Sequence, residues 1–188
     1  MSRESIRRKA DYAKTKRCKG LIAVLEHPKN LNNIGTVVRN IDALGIEKVY
    51  IVDSKGLLLD DWQHMRNNRT LNNISASAIK WAFVKKFKDS ETCLQHIDRK
   101  CYTSIATSPH QKGKNNILVQ GANFTDGGIA IWFGNESRGL SEEVIDACKT
   151  CVQIEMGGII ESLNLGTATG IVLYEAAKQR RLFEGLDK

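Results

Sequence analysis

Three short segments of the chain combine glycine with polar side chains that could serve binding or catalysis: residues 31–39, 134–140 and 157–166. The second is the clearest, because a turn between Gly134 and Gly139 does not require the polar side chains packed between them. Each segment follows an apolar run, and ligands of open α/β sheets bind where strands end. We therefore predict one site from the polar side chains of all three segments. In the second segment they are Asn135, Glu136 and Arg138.

The familiar signatures of nucleotide, hydrolase and metal chemistry do not occur in the sequence. It contains no GxGxxG, GxxxxGK[ST], HExxH or GxSxG, and no spaced cluster of carboxylates. Cys148 and Cys151 form a CxxC, but this pair ends a predicted helix and begins a predicted strand, whereas redox pairs lie at a helix N-terminus. No second cysteine pair or spaced histidine completes a zinc site. We predict neither a metal site nor a redox site.

The apolar pattern predicts an α/β fold with a parallel sheet. A helix capped by Asn32 or Asn33 and stopped by Gly45 separates the first two strands. A long helix starts at Leu165, and its small first residues require a packing or ligand reason, because glycine costs about 0.8–1 kcal/mol relative to alanine in a helix. The predicted strands are residues 20–26, 48–53, 102–107, 129–133 and 151–156, and a further strand follows a short helix within residues 74–87. The polar segments 54–73 and 108–124 are predicted loops.

Composition points to one basic globular domain. The 188 residues carry 28 Lys and Arg against 21 Asp and Glu, a formal net charge of +7, and 41% of them are hydrophobic. This balance favours nucleic acid as a partner ahead of a membrane surface, because no basic amphipathic helix stands out. The polar N-terminus lacks the apolar segment of a signal peptide, so we expect a cytoplasmic protein with five reduced cysteines.

Residues 1–19 form a basic extension with two possible roles. One interpretation is a solvated terminal helix, and the other is an arm laid along phosphates. In the second interpretation, the RNA-binding side chains include Arg7, Arg8, Lys9 and Arg17.

The order of the three segments resembles a known family. NNIGTVVR, FGNESRGL and ESLNLG, followed by LYE, resemble the three motifs of the SpoU/TrmH family of RNA ribose methyltransferases, within the SPOUT class. The similarity covers residues 20–181. It implies a parallel sheet with helices on both faces, a C-terminal trefoil knot that binds S-adenosylmethionine, and a homodimer. The domain division is then a basic extension at 1–19 and a single SPOUT methyltransferase domain at 20–188.

The resemblance also implies roles for individual residues. One departure is Glu155, where many members of the family have proline. The residues implied to be catalytic are Arg39, Asn33, Glu136, Ser162 and Asn164. Those implied to bind the cofactor are Thr107, Gly134, Asn135, Ile154, Met156, Gly158, Ser162 and Leu163.

The implied reaction is methyl transfer to a ribose 2′-oxygen, which needs no metal. Arg39 is the natural cation for the oxyanion that develops, and because a guanidinium stays protonated we expect it to orient and stabilise rather than to accept a proton. Glu136 is expected to orient Arg39 or an adjacent loop, or to be an acid that leads the next helix. Transfer RNA is favoured over ribosomal RNA. The alternative is a protein of the same fold that binds RNA without catalysis. Small and apolar residues on several faces of the 165–179 helix predict the dimer.

Overall fold

Strands and helices alternate along most of the chain, as the sequence predicts. The computed structural model describes residues 3–58 and 62–185. The strands are β1 (Cys18–Glu26), β2 (Ile46–Val52), β3 (Phe83–Phe87), β4 (Tyr102–Thr107), β5 (Asn116–Leu118), β6 (Gly128–Phe133) and β7 (Thr150–Gln153). The α-helices are α1 (Arg3–Thr15), α2 (Leu31–Ala43), α3 (Trp62–Asn67), α4 (Arg69–Ile74), α5 (Ser90–Arg99), α6 (Glu142–Ala147) and α7 (Leu165–Glu184).

The seven strands form one sheet in the order β3-β2-β1-β6-β4-β7-β5, and all their pairings are parallel. Helices α2, α4 and α7 pack on one face, and α5 and α6 on the other, so each face of the sheet has its own apolar core. Central strands covered on both faces must be apolar along their whole length. Residues 21–26 of β1 are all buried, which confirms the continuous apolar run as a central strand.

Two local predictions between β1 and β3 were wrong. Asn30 caps α2, because its side chain accepts a hydrogen bond from the backbone of Asn33 at 2.9 Å, whereas Asn32 or Asn33 was expected. The expected loop at 54–73 contains α3 and α4, and the side chain of Asn68 caps α4. Neither helix exceeds six residues, so they are too short for a periodic pattern to show in the sequence. Gly45 ends the α2 region with a φ of 73°, as predicted.

The segment predicted as a loop at 108–124 instead carries the short strand β5 and closes a loop around β7. Residues 108–115 reach β5 along the face of α6, where Lys114 Nζ donates to the carbonyl of Asp146 at 3.3 Å. The return to β6 follows the opposite face, where the amide of Phe124 donates to Gln179 of α7 at 3.1 Å. Because β7 lies between β4 and β5, it passes through this loop before α7 begins. Such threading departs from the usual unknotted connections and fits the C-terminal knot of the predicted fold.

The N-terminal residues form α1, as the solvated-helix interpretation expects, and β1 begins at Cys18. Arg7 and Arg8 are exposed, and Arg8 pairs with Glu4 one helical turn away. Arg17 instead packs into the fold, where it pairs with Asp42 at 2.9 Å. The side chain of Lys9 lies outside the described residues. The division at residue 20 stays a prediction.

Candidate functional site

The loop after β6 is a tight turn fixed by Asn135. Asn135 and Gly139 exchange two backbone hydrogen bonds of 3.0 and 2.8 Å. A Cβ on Gly134 would lie 2.1 Å from the backbone of Gly139, so glycine is required there. The side-chain nitrogen of Asn135 donates to the backbone carbonyl of His27 at 2.6 Å. Its side-chain oxygen accepts from the backbone N–H of Ser137 at 2.9 Å. Asn135 therefore ties this turn to the end of β1.

A chain of hydrogen bonds links all three polar segments. Asn33 on α2 donates its side-chain amide to the carboxylate of Glu136 in the second segment. The oxygen of Asn33 accepts from the side chain of Asn164 in the third segment at 3.3 Å. Asn164 in turn caps α7, because its oxygen accepts from the backbone of Gly166 at 2.8 Å. Residues separated by more than 100 positions are thereby brought into one polar cluster.

Glu136 contacts Asn33 and the loop after β1, and not Arg39. Its carboxylate accepts from the backbone amide of Lys29 at 3.1 Å, and Lys29 also bonds the hydroxyl of Ser137. Of the roles expected for Glu136, orientation of an adjacent loop matches these contacts. It is not the leading acid of α6, which begins six residues later at Glu142.

The small residues at the start of α7 serve mainly to pack it against α2. A Cβ on Gly166 would lie 2.5 Å from the methyl group of Thr36. On the next turn the side chain of Asn40 donates to the carbonyl of Gly166 at 2.7 Å. Ala168 faces the other way and lines a cavity, so packing and access to a ligand both contribute to the choice of small residues.

A cavity of about 280 Å³ opens at the carboxyl ends of β4, β6 and β7. Its wall includes the buried side chains of Phe133, Val152 and Leu165, and its mouth is polar. Seven of the eight residues predicted to bind the cofactor line it, whereas Gly158 does not. The seven are Thr107, Gly134, Asn135, Ile154, Met156, Ser162 and Leu163.

The predicted catalytic residues are arranged unevenly around this cavity. Glu136 and Ser162 line it, and Asn33 and Asn164 adjoin it through the hydrogen-bonded chain. Arg39 is exposed on α2, almost two helical turns beyond Asn33, and does not line the cavity. Within one chain the structure therefore assembles four of the five predicted catalytic residues and leaves Arg39 outside.

Sequence reasoning missed several residues of the site. His110 and Lys112 line the cavity, although their segment was predicted only as a loop without a role. The buried carboxylate of Glu26 at the end of β1 accepts hydrogen bonds from Ser90 and from both the amide and hydroxyl of Ser141. The signal in the sequence that could have identified Glu26 is an acid at the end of an apolar strand. The carboxylate ties the starts of α5 and α6 to the sheet.

Cys148 and Cys151 lie in the apolar core on the α5 and α6 face of the sheet. Burial raises the pKa of the Cys148 thiol to about 12, and burial also raises the pKa of Cys151. Thiols with raised pKa values are poor nucleophiles at neutral pH. Within residues 3–58 and 62–185, no group of three or more His, Cys, Asp or Glu side chains is placed to hold a metal ion.

The fold and the site together describe an α/β protein with a threaded C-terminal half and a cavity at the threading point. Residues 20–174 match the model of the SpoU rRNA Methylase family, and because this match spans most of the 188 residues the chain belongs to that family. This result confirms the family suggested by the three motifs.

Three similar proteins illustrate the relationship. The tRNA (guanosine(18)-2′-O)-methyltransferase of Aquifex aeolicus (strain VF5) is 28% identical over 88% of this chain and 72% of its own length. The 23S rRNA (guanosine-2′-O-)-methyltransferase RlmB of Shewanella oneidensis is 26% identical over 85% of this chain and 60% of its own. The structure of the A. aeolicus TrmH/SpoU tRNA modifying enzyme has a TM-score of 0.78 and 26% identity, with 97% of this chain and 85% of that chain covered.

Proposed function

We propose that this protein is an S-adenosylmethionine-dependent RNA ribose 2′-O-methyltransferase that acts on tRNA. The observation that carries the proposal is the hydrogen-bonded chain Glu136–Asn33–Asn164, which joins the three motifs beside the cavity. Matches to tRNA 2′-O-methyltransferases at 25–28% identity support tRNA as the substrate. Ribosomal RNA is the alternative, supported by the match to RlmB. We expect the protein to modify RNA in the cytoplasm.

The cavity fits S-adenosylmethionine. Its buried apolar wall suits the adenine ring, and the polar loops after β4, β6 and β7 suit the charged methionine tail. The residues that would hold the cofactor are Thr107, Gly134, Asn135, Ile154, Met156, Ser162 and Leu163. When bound, the cofactor would supply a methyl group from a sulfonium, which becomes a neutral thioether. The protein has to place the acceptor oxygen in line and stabilise its charge while the hydroxyl proton passes to water.

The residues around the cavity have different roles in placing and stabilising the acceptor oxygen. Asn33 and Asn164 hold each other and the start of α7, so they keep the third motif in one position before RNA binds. Ser162 has an exposed hydroxyl at the cavity mouth, where it is available to a ribose. Arg39 supplies the positive charge for the 2′-oxygen or the adjacent phosphate.

The position of Arg39 supports a homodimer, which we propose. Since its guanidinium lies outside the cavity of its own chain, a second copy offers a way to bring it to a reactive oxygen. Helix α7 carries exposed apolar side chains suited to such an interface, with Tyr174 54% and Phe183 73% exposed. A shallow recess between α2 and α7, lined by Leu44, Gly170 and Ile171, lies on the same side.

The experiment that tests the function uses paired RNA substrates. The modified nucleotide is first mapped by mass spectrometry in tRNA and ribosomal RNA incubated with the protein and tritium-labelled cofactor. An RNA with a single 2′-deoxy substitution at that nucleotide keeps its base and its phosphates, so it should bind but accept no label. Label on the deoxy RNA would show base methylation and reject the proposal.

A folded protein that binds both RNAs and labels neither would favour the alternative of an RNA-binding protein without catalysis. The variant Arg39→Ala adds a second criterion. It should bind the cofactor normally and transfer methyl groups about 10²–10³-fold more slowly, comparable to the loss of an oxyanion donor. Arg99→Ala on α5 is the matched control and should retain the wild-type rate.

A further inference from the structure

The carboxyl edge of the sheet carries a row of basic side chains that begins at the wall of the cavity, where Arg138 lies, and extends away from it. Every one of the four strands β3, β2, β1 and β6, in their spatial order, is followed within a few residues by a lysine or an arginine. Because parallel strands end at one edge, these loops lie side by side. Neighbouring strands are about 4.8 Å apart, so the row extends about 14 Å from the cavity to the outer strand β3. The four residues of this basic row are Lys88, Lys55, Lys29 and Arg138.

The acidic side chains along the same part of the edge are engaged by hydrogen-bond donors of the fold. Asp53 is 4% exposed, and its carboxylate accepts from the backbone amides of Leu57 and Leu58 at 3.0 and 2.8 Å. Asp89 caps α5 by accepting from the amide of Thr92 at 2.8 Å. Glu26 and Glu136 are likewise engaged with internal donors, as described above.

The basic side chains, in contrast, point into solvent. Lys55 and Arg138 are exposed, and neither side chain has a polar partner among the described residues. Lys88 is 83% exposed, and its contact with Asp89 at 3.7 Å is a surface pair of the kind that contributes little. The side chain of Lys29 is also exposed, and its Nζ bonds the neutral hydroxyl of Ser137. With the acids held by internal hydrogen bonds and the basic side chains exposed, this part of the edge presents a positive surface to any anion that approaches the cavity.

The charge along this edge also differs between the two sides of the cavity. On the β7 side of the cavity the following loop carries exposed acids, Glu155 and Glu161. On the β3 side, the row ends at a recess of about 620 Å³ lined by Ser54, Gly56 and Lys88. A polyanion that occupies the cavity mouth is therefore repelled on the β7 side and attracted toward β3.

We propose that the RNA strand adjoining the target nucleotide crosses the ends of β1 and β2 and reaches the recess beside β3, where Lys55 and Lys88 bind its phosphates. The identity of the polyanion rests on the proposed function. The row is several phosphates long, and lysines act there as point charges that position the backbone without reading bases.

The test compares two double variants with equal changes in charge. Lys55→Ala/Lys88→Ala removes the outer part of the row. Lys100→Ala/Lys149→Ala removes two exposed lysines where the chain enters β4 and β7, away from the row. Affinity for an unmodified tRNA transcript is measured by filter binding over a series of salt concentrations, with melting temperature as the check on folding.

Each phosphate contact contributes about 0.7–0.9 to the slope of log affinity against log salt, so the first variant should lose about 1.4–1.8 of the slope and bind more weakly at low salt. The second variant should keep the wild-type slope. Equal losses in both variants would mean that only net charge matters, and an unchanged slope in the first would mean that RNA takes another route. Either result overturns the proposed path. Failure of methyl transfer by the wild-type protein rejects the proposed function instead, and leaves the binding comparison valid.

Discussion

At the scale of single residues, the polar groups of the site bind one another before any ligand does. Asn33 uses its amide for Glu136 and its carbonyl for Asn164. The resemblance of the three motifs to a known family identified these residues in the sequence. Their partners could not be predicted, since Glu136 and Asn33 are 103 positions apart and only the packed sheet ends bring them together.

Asn164 has two functions that two substitutions can separate. Its oxygen caps α7, and its amide donates to Asn33. Asn164→Ser retains a good cap and removes the side-chain amide nitrogen that reaches Asn33, so the free energy of unfolding should stay near that of the wild type while methyl transfer slows. Asn164→Ala loses both, and unfolding should also become easier by about 1 kcal/mol.

Urea denaturation and transfer of labelled methyl groups measure the two effects on the same samples. If Asn164→Ser transfers methyl groups at the wild-type rate, the link between Asn33 and Asn164 has no part in the reaction. In that case Asn164 serves only as a cap.

At the scale of elements, helix α7 was predictable and its contacts were not. Its start at Leu165 follows from the polar residue before an apolar pattern, and this prediction is confirmed. The small residues predicted a close contact at the start of α7, but the sequence does not show that α2 is the partner. Short elements such as α3, α4 and β5 escaped prediction, because three to six residues give too little periodicity to distinguish them from loops.

Two glycines of α7 should respond oppositely to the same substitution. A Cβ at Gly166 would lie 2.5 Å from the methyl group of Thr36, so Gly166→Ala should destabilise the protein by about 1–3 kcal/mol through overpacking. The nearest group to a Cβ at Gly170 is the Asn40 amide, at 3.4 Å. Gly170→Ala should therefore be neutral or stabilise by up to about 1 kcal/mol from helix propensity.

Chemical denaturation of the two alanine variants checks this difference, and each variant is the control for the other. Equal effects on the free energy of unfolding would contradict close packing of α7 against α2 at Gly166.

At the scale of the whole molecule, most of the strands could be identified from the sequence, but their order could not. Alternating strands and helices predict a parallel sheet, and the observed order β3-β2-β1-β6-β4-β7-β5 depends on which face each connection takes. The resemblance to a family supplied the threaded topology that local patterns do not contain. Threading places the loops after β4, β6 and β7 around one cavity, which explains why three distant motifs form one site.

The position of Arg39 gives a prediction for the assembled protein. If Arg39 acts on the cavity of a second copy, two inactive variants should restore each other. One carries Arg39→Ala and an intact cavity, and the other carries Ala168→Phe, which fills the cavity and keeps Arg39. Random exchange makes half of the dimers mixed, each with one complete site, so the mixture should recover about a quarter of the wild-type rate.

Sedimentation should first show each variant to be a dimer of the 21.0 kDa chain, and exchange should be verified with a tagged copy. A verified mixture that remains as slow as its components would place Arg39 in the reaction of its own chain, or outside the reaction. A wild-type monomer that transfers methyl groups to RNA would reject the homodimer itself. Recovery of activity would show that the exposed guanidinium on α2 completes a site that a single chain leaves unfinished, which is the reason the cavity and Arg39 are separate in this structure.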